Sequence, residues 1–237
     1  MKILNLFCGI GGNRTLWGNE HEITAVDNNQ QVAKIYLKRF PNDTVIVGDA
    51  YEYNRDHHNE FDFIWASPPC ITHTRMCAFP SFKEDYPDFK LFELIVFLGR
   101  FFKGIHVIEN VIPHYKLKNI DPFYNPFIIP TAIIDRHYIW TNFPLKNKRW
   151  KKPNGNFKDL PLDVLCKWLK VDMDLINLLP SHNKRNHDNK RNVLRNCVLP
   201  LAGKYILDSI HAKTLDNWME FGEEEFPPDD MKGDEEQ

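Results

Sequence analysis

Lys2-Ile3-Leu4-Asn5-Leu6-Phe7 runs straight into Cys8-Gly9-Ile10-Gly11-Gly12. An apolar stretch that ends in a glycine turn reads as a buried strand leading into a ligand-binding bend, the opening unit of an α/β sheet. The pattern then repeats. Residues 22–26 read as a short strand ending in Asp27, and residues 30–39 have helical spacing that stops before Pro41. Residues 44–47 form a strand ending in Gly48-Asp49, and residues 61–66 form one that runs into Ser67-Pro68-Pro69-Cys70. Residues 89–102 read as a helix that is apolar all round and so well buried. Residues 105–108 make a further strand that ends at Glu109. Alternation of this kind implies a parallel, doubly wound sheet with ligands at the carboxyl ends of its strands.

Beyond Asn110 the pattern changes. Residues 112–130, rich in Pro, Tyr and Asn, read as a loop, and residues 132–134 and 137–143 as a strand pair. Residues 157–179 hold one or two short helices broken by Pro161 and Pro180. Residues 199–217 read as a helix with Pro200 near its start, where proline is tolerated. The expected organisation is a catalytic core over 1–143, an insert over 144–184, a return to the core over 185–217 and an acidic, disordered tail over 218–237.

Composition narrows the classes. A chain of 237 residues is long enough to bury a full core. No apolar run can span a bilayer, and the first residues enter a strand without signal-peptide anatomy, so the expectation is a cytoplasmic protein, monomeric by default. The five cysteines (Cys8, Cys70, Cys77, Cys166, Cys197) fall at unrelated spacings, which argues against a disulfide framework or a metal site. The net charge of −2 hides an asymmetry: from residue 213 onward there are ten acidic and two basic residues, net −8, leaving +6 on the rest. Basic residues cluster at 146–152 and 184–195, a surface suited either to phosphate or simply to water.

Four features carry chemistry. Gly9, Gly11 and Gly12 let the backbone approach a ligand, although the turn lacks the third glycine of the dinucleotide fingerprint and the lysine of a P-loop. Asp27 and Asp49, at strand ends, can accept from ribose hydroxyls and an adenine amino group, or else cap helices. Cys70 sits on a proline-stiffened loop and is a nucleophile candidate if its thiolate is favoured. Glu109 is its natural proton-handling partner.

These motifs, in this order, resemble the DNA (cytosine-5)-methyltransferase family, in its short phage and bacterial form. Phe7-Cys8-Gly9-Ile10-Gly11-Gly12 resembles its cofactor motif, Ser67-Pro68-Pro69-Cys70 its nucleophile motif, and Glu109-Asn110-Val111 its glutamate-asparagine-valine motif. Arg195-Asn196-Cys197-Val198 resembles its last cofactor motif, and Arg136-His137 its arginine-histidine variant. The resemblance implies a Rossmann-like, S-adenosylmethionine-dependent fold with a reduced target-recognition region. Cys70 would attack carbon 6 of a flipped-out cytosine, with Glu109 on the ring and Arg136, or His137, near the base. S-adenosylmethionine would lie against Phe7, Gly9, Ile10, Gly11, Gly12, Asp27, Asp49, Pro68, Asn196 and Val198, with no metal. Pro69, Asn110 and Val111 would shape the active-site loop.

The chain departs from the family at Asn5, where aspartate is usual and a lost carboxylate would weaken cofactor binding. It departs again at the arginine motif and at Arg195, where glycine is common. The insert is far shorter than a typical reading domain, which implies a short target or a helper, and a restriction endonuclease or recognition partner is compatible with it. Trp150, Phe157 and Trp168 could touch DNA, but their spacing fits the core better. The alternatives are a tRNA cytosine-5 methyltransferase and a degenerate relative that only binds DNA. An amino-group methyltransferase is disfavoured by Cys70 and Glu109.

Overall fold

The structure, a computed structural model, describes residues 1–74, 87–113, 129–155, 157, 159–182 and 189–211. Cys77, the acidic tail and most of the 112–130 loop fall outside those residues.

Seven strands form one sheet: β1 (Lys2–Leu6), β2 (Glu22–Asp27), β3 (Thr44–Val47), β4 (Phe63–Ala66), β5 (Ile105–Val111), β6 (Ala132–Ile134) and β7 (His137–Thr141). Their order is β3-β2-β1-β4-β5-β7-β6. The first five run parallel, and β7 joins β5 antiparallel with β6 outside it. This is the Rossmann-like, mainly parallel sheet that the sequence implied. The chain winds outward through β2 and β3, then returns to place β4 on the other side of β1. The crevice at that reversal is where open α/β sheets hold ligands.

Strands buried on both faces need continuous apolar sequence, and β1 and β4 supply it. Ile3, Phe63, Trp65 and Val107 pack to one side with Trp17, Leu165, Leu194 and Ile206. Leu4, Leu6, Ile64 and Ile108 pack to the other with Leu94, Leu98 and Trp140. A 3-10 turn (Asn13–Leu16) and helix α1 (Gln30–Arg39) follow β1 and β2. Asn29 caps α1, its Oδ1 accepting from Gln31 N at 3.0 Å and Val32 N at 3.3 Å. Helices α2 (Ala50–His57) and α3 (Lys90–Phe101) follow β3 and β4. The insert supplies α4 (Leu162–Leu169) and α5 (Met173–Asn177), and α6 (Asn189–Arg195) and α7 (Pro200–His211) follow. Trp150, Phe157 and Trp168 pack against the main core, as their spacing suggested.

Two expectations need correction. Helix α3 is not buried all round: Leu91, Leu94, Ile95 and Leu98 face the sheet, while Val96 and Phe101 are 45% and 60% exposed. The apolar stripe is a one-sided face with hydrophobic side chains left over on the other side. Strand β5 does not end before Glu109 but continues through Val111, because β7 pairs Asn110 with Tyr138 and Val111 with His137. Among the described residues, no helix is long and apolar enough to cross a membrane.

Candidate active site

The turn after β1 is held from below. Phe7 and Gly9 both adopt φ +54°, and Gly11 adopts φ +75°. Asp27 fixes the bend: its Oδ2 accepts from Gly9 N at 2.9 Å and its Oδ1 from Asn29 N at 2.8 Å. Burial of that carboxyl raises its pKa, and the two backbone donors oppose the rise. The glycines then serve different ends. A Cβ on Gly9 would meet nothing within 4 Å, so this position opens outward. A Cβ on Gly11 would strike the rings of Phe40 and Tyr36, and one on Gly12 would come within 2.2 Å of Val198 O. Ile10 is buried in the core, and its carbonyl accepts from the Arg39 guanidinium. Phe7 lays its ring on the edge of Tyr51 at 4.8 Å. Asp49 is a helix cap: its Oδ1 accepts from Tyr51 N at 2.7 Å and from Glu52 N at 3.2 Å.

The proline loop leaves the sheet next to this turn. Ser67 N donates to Leu6 O at 3.3 Å, and Trp65 Nε1 donates to Ser67 Oγ at 2.9 Å. Asn110, 2% exposed, donates from Nδ2 to Pro68 O at 3.0 Å. The neighbouring strand therefore grips the loop just ahead of Pro69 and Cys70. Cys70 is half-buried, and its carbonyl accepts from His73 N at 3.0 Å and Thr74 N at 3.1 Å. The chain thus coils tightly after the cysteine and holds it at the head of a turn.

Glu109 points to the other face of β5 from Asn110, as the strand's alternation requires. Ala66 lies level with Ile108, so the proline loop departs level with Glu109. Glu109 is 9% exposed, and its Oε1 lies 3.5 Å from His137 Nδ1. Arg136 sits at the tip of the β6–β7 turn, which the antiparallel pairing brings to the carboxyl end of β5. Asp135, at φ +55°, braces that tip by accepting from Trp150 N at 3.1 Å. Glu109, Arg136, His137 and Val198 share a cavity of about 180 Å³ with Trp65 and Trp168. Cys70 is not among the residues that line it.

Residues 1–77 match the family of C-5 cytosine-specific DNA methylases. The match spans the glycine turn, Asp27, Asp49 and the Ser67-Pro68-Pro69-Cys70 loop. Glu109, Arg136 and Asn196 lie beyond it, so their likeness to the methylases rests on motif and position. Among solved structures, a mutant of Spodoptera frugiperda DNMT2 is 22% identical, with 66% of this chain and 56% of that one covered, at a TM-score of 0.43. The Entamoeba histolytica methyltransferase EhMeth is 18% identical over 70% of this chain and 65% of that one, TM-score 0.38. A putative DNA modification methyltransferase from an Escherichia coli prophage is 14% identical over 60% and 45%, TM-score 0.36. The chain thus spans little more than half the length of the Spodoptera protein. No curated protein matches it.

Two departures from the methylase pattern acquire a physical meaning. Asn5 is fully buried and forms a reciprocal amide pair with Asn13, at 2.8 Å and 3.3 Å. Its side chain is thereby engaged beneath the turn, so the missing carboxylate is not missing from a ligand surface. Sequence reading missed this pair, and an Asn eight residues away gives no signal for it. Asn196 is exposed, while Cys197 tucks against the glycine turn, where burial raises its thiol to about 11. Arg195 replaces the methylases' glycine and projects into the cavity rim. Trp65, Lys152 and Trp168 also line the cavity, and no motif marks them. In the sequence, only the basic run 146–152 hints at Lys152.

Proposed function

We propose that the chain is a DNA (cytosine-5)-methyltransferase that uses S-adenosylmethionine. The observation that carries this reading is that the carboxyl ends of neighbouring parallel strands hold the family-matched glycine turn and cysteine loop, with Glu109 on the adjacent strand. The residues suit the cofactor. Gly9 leaves open space beside Asp27. Asp49 caps its helix through Oδ1 alone, so among the described residues Oδ2 makes no hydrogen bond and can accept from an amino group. Asp27 keeps lone pairs on both oxygens for ribose hydroxyls. When bound there, S-adenosylmethionine supplies an electrophilic methyl group.

The residues supply the rest. The Cys70 thiolate adds to carbon 6 of the cytosine. Glu109 binds the ring at N3 and the amino group, which favours addition and leaves carbon 5 electron-rich. After carbon 5 is methylated, a solvent water takes its proton and the Cys70 sulfur is expelled as thiolate, which restores the ring. The base must leave the helix stack for this, since neither ring face is reachable inside it. Asn110, through Pro68, keeps the nucleophile loop in register with Glu109.

The test is transfer of labelled methyl from S-adenosylmethionine to unmethylated DNA, with tRNA in parallel. Label should enter DNA and disappear with Cys70→Ala, which should fold and bind cofactor normally. Activity in that variant within a few-fold of the parent overturns the covalent mechanism. The insert's packing into the main core, rather than as a separate reading unit among the described residues, also suits a tRNA substrate. Label confined to tRNA would establish that reading.

A further inference from the structure

The cavity that holds Glu109 is rimmed by three cations from three separate parts of the chain. Arg136 comes from the β6–β7 turn, Lys152 from the insert, and Arg195 from the end of α6. All three are exposed, and among the described residues none forms an ion pair. The nearby carboxylates have other engagements: Glu109 faces His137, and Asp135 accepts from Trp150 N. Grouping like charges without partners is unfavourable unless an anion arrives, and a cleft with walls of one sign concentrates anions. Burial and the neighbouring Arg136 both lower the Lys152 ammonium's affinity for its proton, with Asp135 opposing them, which agrees with a crowded cationic rim. Inside the rim the walls are aromatic and apolar, with Trp65, Phe157 and Trp168. A cationic mouth beside Glu109 suits the backbone phosphates of a strand whose base is presented there.

Resting on the reading above, we infer that Lys152 and Arg195, together with Arg136, grip the backbone phosphates that flank the extruded nucleotide. The short insert then positions the strand and does not read bases. Its contribution to affinity is independent of sequence and sensitive to salt.

The test is equilibrium binding of short synthetic DNA duplexes of several sequences, over a range of salt, with S-adenosylhomocysteine present. Neutralising one phosphate-gripping cation should make the slope of log K against log salt shallower by about 0.9. Lys152→Gln and Arg195→Gln should each show that change and weaken all duplexes alike. Lys152→Arg should keep the slope, as should Lys38→Gln on the exposed face of α1. Slopes unchanged in both glutamine variants, or reduced equally by Lys38→Gln, would overturn the inference. So would a loss confined to one duplex sequence. Methyl transfer by the unaltered chain is measured alongside. Transfer with unchanged slopes removes the phosphate grip alone, whereas no transfer with reduced slopes removes the enzymatic reading and keeps the grip.

Discussion

Glu109 is fixed by its backbone as well as by its neighbours. It stands opposite Ile139 in a paired strand, so its Cα cannot swing as a loop residue's could. A carboxyl held this way suits a role in which it must meet one edge of a flat ring. Glu109→Gln keeps shape and hydrogen-bonding capacity but cannot deliver a proton. Single-turnover methyl transfer should slow by about 10²–10⁴-fold, the usual worth of a general acid–base group. A loss below tenfold would exclude that role. Asn5 shows the opposite case, a polar residue whose surroundings account fully for its side chain. Its distance from any ligand surface comes from tertiary pairing, which no motif comparison can see.

Between elements, Arg39, at the end of α1, ties the glycine turn to the insert. Its guanidinium donates to Ile10 O, to Thr15 Oγ1 at 2.8 Å, and to Lys170 O at 3.1 Å. Lys170 ends α4 in the left-handed conformation, so the insert and the glycine turn meet on one guanidinium. Under the proposed function, Arg39 would be a positioning residue, acting on the cofactor through the Ile10 carbonyl. Arg39→Ala should weaken S-adenosylmethionine binding by about tenfold, the worth of a charge-assisted hydrogen bond. Calorimetry should show that weakening while the single-turnover rate at saturating cofactor stays within about threefold, since removing uniform binding alone leaves kcat unchanged. A fall in rate with unchanged affinity would contradict it. Helix α7 approaches the same region closely, since Trp17 Nε1 donates to Gly203 O at 3.1 Å and a Cβ on Gly203 would lie 2.2 Å from Asn13 O.

For the whole molecule, the buried histidine of β5 sets a pH limit. His106 is 6% exposed, its Nδ1 has no hydrogen-bond partner among the described residues, and burial pulls its pKa down to about 4. In the unfolded chain it titrates near 6.5. Above that value both states are neutral and nothing is lost. As pH falls from about 6.5 toward about 4, the unfolded chain takes up a proton that the folded one refuses, and stability drops by up to about 3 kcal/mol. His106→Gln should remove that part of the acid sensitivity in urea unfolding at pH 7 and pH 4.5. An equal drop in both chains would show that other groups govern it. The β-α alternation through residue 111 was readable because strands buried on two faces announce themselves by unbroken apolar runs. The exposed side of α3 was not, since apolar residues alone do not say which face meets the sheet. Nor was the length of β5, which depends on a partner strand some thirty residues later. The cavity was the least readable feature, because Glu109, Lys152 and Arg195 meet only once the sheet is closed by its antiparallel edge.

Leu165, Leu169 and Ile176 of the insert share one apolar cluster with Trp65 and Ile206. The insert is therefore not a cassette. Grafting a relative's longer segment in its place would remove core volume and unseat the scaffold. At exposed rim positions such as Lys152 and Arg195, by contrast, side chains can change without disturbing what lies beneath.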